Sequence, residues 1–170
     1  MSCGAIETEA SLGQYKKIEV SGKNSKEKEE EAIRTIITNS KIMVSEDKIL
    51  KVAAKMAEEF AKRLSQQGLS LGQYYSITLS DEEQLLKQMM PVAQKRVEGQ
   101  IVLEAIAREE GLEATEDEYN KEISRLSDLY LVSQKEIKNL VAGEEETQIR
   151  TDIAIHKALK FVMESAVEKR

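Results

Sequence analysis

From Lys26 onward the apolar positions recur at helical spacing, and little of the chain before it does. Tyr15 to Val20 alternates in the two-residue period of a strand, and Ser21 to Ser25 is loop by composition. A first helix is predicted from about Lys26 to Asn39, with Ile33, Ile36 and Ile37 on its buried side and glutamates near its N-terminus. After an extended step from Lys41 to Val44, Ser45 is placed to cap a second helix. Its stripe is Ile49, Val52, Ala53, Met56, Phe60 and Leu64, and Gly68 stops it. Ser70 to Tyr75 reads as one short turn of helix.

Three pairs fit the capping box, in which a hydroxyl and a carboxylate three residues on satisfy each other's orphaned backbone donors. They are Ser80 with Glu83, Thr115 with Glu118, and Ser133 with Glu136. In the helix from Ser80, Pro91 removes the amide donor to Lys87 and predicts a kink or a break. Beyond it, Ile101 to Ala107 is apolar nearly all round and is the predicted most buried segment, closed by Gly111. Tyr119, Ile123, Leu126 and Tyr130 line the next helix, and Ile137, Leu140 and Val141 a shorter one ending at Gly143. The last helix is expected to run from the acidic Glu144 to Glu146 through to Lys169 and Arg170. The pattern is that of an all-α protein with a short extended N-terminal segment: residues 1–25 as a flexible lead-in with a strand-like stretch, and 26–170 as one helical domain.

Composition narrows the chemistry. A third of the residues are charged, 4% are aromatic, and the net charge is -6, so no clustered positive footprint for nucleic acid is present. No apolar run reaches the roughly 18 residues a membrane-spanning helix needs. Cys3 is the single cysteine, which excludes an intrachain disulfide and a multi-thiolate metal site. With one histidine, His156, and no phosphate loop or nucleophile elbow, the sequence offers neither a catalytic constellation nor a cofactor or metal site. The carboxylates fall in runs at helix starts, where dipole and capping roles account for them.

The methionines are the more informative residues. Met89 and Met90 beside Pro91, together with Met56, carry side chains that repack at little cost, as adaptable binding surfaces require. Ordinary core packing is the competing reading for them.

The stretch Glu59 to Tyr74 resembles the segment of bacterial trigger factor that ends one long helix and begins the next. Ala93 to Val97, Ile101 to Leu112, Thr115 to Glu118, Ser133 to Glu136 and Ala158 to Val162 are similar to that family in the same order. The resemblance covers about residues 26–170 and points to the C-terminal, client-binding domain. It implies an elongated multi-helix fold with helical arms whose inner apolar patches hold unfolded chains. Full-length members begin with a ribosome-docking domain carrying a Gly-Phe-Arg-x-Gly-x-Pro signature, and they insert an FKBP-type prolyl isomerase between strand-like and helical sequence. This sequence shows neither; only Ser21 to Ser25 separates the two kinds of pattern.

The resemblance therefore implies a non-enzymatic binder of unfolded or nascent polypeptides, with no direct ribosome docking. The alternative is a structural helical module whose apolar stripes form a homodimer. Contact residues expected on the first reading are Met56, Phe60, Tyr74, Tyr75, Met89 and Met90, with apolar contact dominating over charge. Compartment is read as bacterial cytoplasm, or as a lipid-anchored cell-envelope location if Cys3 opens a lipoprotein.

Overall fold

The computed structural model describes residues 9–169, so Cys3 lies outside the described residues. Among these, seven helices dominate: α1 (Ser25–Asn39), α2 (Glu46–Gln66), α3 (Leu71–Thr78), α4 (Glu82–Glu109), α5 (Glu116–Tyr130), α6 (Gln134–Leu140) and α7 (Glu144–Ser165). Four short strands accompany them: β1 (Glu9–Ser11), β2 (Glu19–Val20), β3 (Lys41–Met43) and β4 (Val167–Glu168). The described chain divides into two units, one of residues 9–11 and 41–101, the other of 12–40 and 102–169.

In the first unit, β1 pairs antiparallel with β3, placing Ala10 opposite Ile42. Helix α2 ends where Gly68 takes a left-handed conformation (φ 77°) and Leu69 donates its amide to the Leu64 carbonyl. Helix α3 opens with a capping box between Ser70 and Gln73, which makes it longer than the single turn expected from the sequence. Helix α4 then runs unbroken through Pro91. The missing Pro91 amide thus does not divide the helix, because the hydrogen bonds on either side of one gap hold the backbone in register. The predicted Ser80 box is also corrected. Asp81 accepts the Gln84 amide at 2.8 Å, while the Ser80 hydroxyl lies 2.6 Å from that of Thr78, so the cap sits one residue later.

The second unit holds the larger core. Val102, Leu103, Ile106 and Ala107 of α4 are buried, as the apolar run predicted, alongside Ala32 and Ile36 of α1 and Ala158 and Val162 of α7. Tyr119, Ile123 and Ile137 form a cluster under α5 and α6, with Leu126, Val132, Val141 and Ile149 packed against it. The boxes at Thr115 and Ser133 are both present.

The C-terminus departs from expectation. Helix α7 stops at Ser165, and Val167–Glu168 pair parallel with Glu19–Val20 instead of continuing the helix. Ile18 and Val20 are thereby buried, and Lys28 forms an ion pair with Glu168. This partner is remote in sequence, so helical dipole arguments at Lys169 could not reveal it. Tyr15 ties the preceding segment to α4's end by donating its hydroxyl to Glu110 at 2.6 Å. That bond, then burial, pushes the Tyr15 hydroxyl up to about 12.

Candidate functional site

In the first unit, the expected contact residues gather into two neighbouring sets. Phe60 and Tyr74 meet edge to face with ring centroids 5.1 Å apart, and Tyr74 meets Tyr75 at 6.0 Å. All three are half-buried, so each ring keeps an accessible part. Burial first, then the nearby carboxylates of Glu82 and Asp81, raises the Tyr75 hydroxyl above its ordinary range.

The second set is a groove. Met56 of α2 and Met89 of α4 line an open cleft of about 520 Å³ whose other walls are Glu59, Lys62, Arg63 and Arg96. Met56 and Met89 are half-buried, neither core nor fully solvated. Met90 is also half-buried but is not among the groove's walls. The sequence pattern placed Met56 and Phe60 on one helical stripe; the facing position of Met89, and the three cations around the methionines, come only from the fold.

A third feature escaped the sequence reading. Four helices close in the same way, a left-handed residue being followed by an amide that bonds back five residues: Leu69 to Leu64, Ser80 to Tyr75, Leu112 to Ala107 and Val132 to Ser127. Glycine holds the left-handed position at Gly68 and Gly111, where it fits without steric conflict. Leucine holds it at Leu79 (φ 51°) and Leu131 (φ 56°), and each of these side chains is 89% exposed. Ile77 accompanies Leu79, and Leu129, Tyr130 and Leu140 accompany Leu131, all exposed. A leucine where a helix end calls for glycine was the available signal. The expectation that Tyr130 and Leu140 face a core is corrected: both side chains point to solvent, while Ile137 is buried in the cluster and Val141 packs against it.

Around that cluster the charges are organised structurally. Arg150 lies over the Tyr119 ring at 4.2 Å and bonds Glu116 and Glu146 at 2.6 and 2.8 Å. Lys157 reaches Glu118 at 2.9 Å. The Thr115 amide, Lys157 and the Thr115 hydroxyl together hold the Glu118 carboxyl down to about 2. His156 is exposed and lines a smaller groove with Ser25, Glu29 and Met163. Among the described residues, no group of histidine, cysteine and carboxylate side chains is arranged to hold a metal, and no helix is long and apolar enough to cross a membrane.

Comparison with known proteins agrees with the helix order. The profile described as bacterial trigger factor protein (TF) C-terminus matches residues 9–164. Trigger factor of Agathobacter rectalis is 35% identical over 144 residues, which cover 85% of this chain and 32% of that protein. Trigger factor of Halalkalibacterium halodurans is 36% identical over 139 residues, 81% of this chain and 32% of its own length. The chain thus spans about a third of the relatives it matches. A solved structure of trigger factor domains from Thermotoga maritima superposes with a TM-score of 0.59 at 20% identity, covering 90% of this chain and 93% of that one. A second, from work on promiscuous substrate recognition in the folding and assembly activities of the trigger factor chaperone, gives 0.51 at 21% identity over 81% of this chain and 33% of that one. At those identities the superpositions show the shared fold, while the profile match and the sequence relatives settle descent: this chain belongs to the bacterial trigger factor C-terminal family.

Proposed function

We propose that this chain is a chaperone-type module of the bacterial cytoplasm that binds unfolded or nascent polypeptides through apolar helical surfaces, assisting folding without catalysis. The observation that carries the reading is the pair of leucines at strained helix ends. A left-handed leucine costs about 1–2 kcal/mol relative to right-handed backbone, and with 89% of the side chain in water neither Leu79 nor Leu131 recovers that cost by burial. Closing the helix requires the left-handed backbone but not a leucine on it, so the exposed leucine side chains suit a role outside folding. Unfolded clients differ in sequence but share exposed apolar side chains. Non-directional contact suits them, and the half-buried Met56, Phe60, Tyr74, Tyr75, Met89 and Met90 extend such a surface in the first unit.

The test is suppression of aggregation of a chemically denatured protein, followed by light scattering. The chain should suppress aggregation at modest molar excess and leave proline-limited refolding unaccelerated. Replacing Met89 and Met90 together by Ser should weaken suppression with the helical circular dichroism intact. A tight dimer in a light-scattering dilution series that never binds denatured protein would overturn the reading.

A further inference from the structure

The groove between Met56 and Met89 carries a charge opposite to that of the molecule. The whole chain has a net charge of -6, yet Lys62, Arg63 and Arg96 surround this cleft against the single carboxylate of Glu59. Some cations elsewhere are matched, Lys87 with Glu83, Arg150 with Glu116 and Glu146, Lys157 with Glu118, and Arg125 with Glu122. Lys62, Arg63 and Arg96 make no ion pair or side-chain hydrogen bond among the described residues. All three are exposed at the rim, while the two methionines between them are half-buried. An apolar floor with a cationic rim has a definite complement.

We infer that this groove selects, among unfolded polypeptide segments, those in which an apolar side chain is flanked by aspartate or glutamate. The inference rests on the client-binding reading above and adds a preference to it. Methionine accepts apolar side chains of differing shape by changing rotamer, so the floor specifies only apolarity. Specificity then falls to the rim. Two arginine forks present paired donors that match carboxylates in both charge and geometry, and Lys62 adds a third positive charge on the α2 side. A segment flanked by lysine would set like charges against this rim. A peptide is the fitting occupant because the cleft is open along two helices and Phe60, four residues from Met56, adjoins it on α2.

Fluorescence anisotropy with four labelled peptides tests this on the whole chain. Three share one Leu- and Phe-containing core flanked by Glu, Gln or Lys, and the fourth has the Glu flanks without apolar residues. At low salt the Glu-flanked peptide should bind roughly tenfold tighter than the Lys-flanked one, with the Gln-flanked peptide between, as two or three partly exposed charge pairs allow. The ratio should shrink to about twofold near 0.5 M salt, where the screening length is only a few ångströms. R63E with R96E should invert the order, and R63Q with R96Q should level it; both arginines are exposed, so neither pair touches the core.

Equal affinity for the three flanked peptides, or an order unchanged in R63E/R96E, overturns the inference. So does equal binding of the peptide without apolar residues, which would make the groove a simple anion site. If no peptide binds while aggregation of a denatured protein is still suppressed, the groove preference fails and the client reading stands. If suppression is absent as well, both fail.

Discussion

The two units use similar apolar stripes to different ends. Among the described residues, of the six largest side chains wholly removed from solvent, Ile36, Val102, Ile106, Ile123 and Val162 belong to the unit of residues 12–40 and 102–169, and only Val97 to the other. In the first unit the α2 stripe buries Ala53 and Leu64 but leaves Ile49, Val52, Met56 and Phe60 half-open. Apolar stripes are thus present in both, while closure over them is not equal. Stability concentrates where layers enclose a residue from all sides, and accessible apolar surface remains where they do not.

The sharpest way to break this comparison is truncation. Ile106→Ala should cost about 2–5 kcal/mol, because a wholly buried isoleucine loses its transfer energy and leaves a cavity. Met56→Ala should cost under about 1 kcal/mol, since the groove is open to solvent. Denaturant titration of both variants checks the difference; equal losses would show that the first unit is as tightly held as the second.

Smaller effects are expected at the helix ends. Leu79→Gly and Leu131→Gly relieve the left-handed strain but increase the freedom of the unfolded chain, for a net gain of up to about 1 kcal/mol each. Both should raise the melting temperature and at the same time lower aggregation suppression. Unchanged suppression by the stabilised variants would remove the leucines from the binding surface.

The smallest effect concerns the charge frame of the second unit. Glu118 titrates near 2 when folded, below the ordinary 4.5, so its stabilisation is complete above pH 4.5 and is lost as pH falls through about 2. Its side chain is about a third open to solvent, which limits the gain. E118Q should therefore melt about 2 °C lower than the parent near neutral pH, and the gap should close on acidification. A constant gap across that range would assign the loss to the Thr115 cap alone rather than to the carboxylate.

Local grammar made much of this protein legible. The caps at Thr115 and Ser133, the stops at Gly68 and Gly111, and the apolar run of α4 each act within one or two turns, and each lies where the pattern put it. The Ser80 box failed at the same scale, because Asp81 caps the helix one residue later, through the Gln84 amide. Of the proposed contact residues, the sequence could mark Met56 and Met89 as adaptable side chains but not as neighbours.

By itself, then, the sequence determined the helices, their order and the family resemblance, since hydrogen bonds and capping within a helix are set by residues a few positions apart. Only the tertiary structure decided that Val167–Glu168 leaves the helix for a parallel partner at Glu19–Val20, and that two methionines line one groove with three cations. It also decided that Leu79 and Leu131 stay in water. These outcomes depend on which surfaces meet across long stretches of chain, and the period of apolar residues shows that a face is apolar without showing what, if anything, covers it.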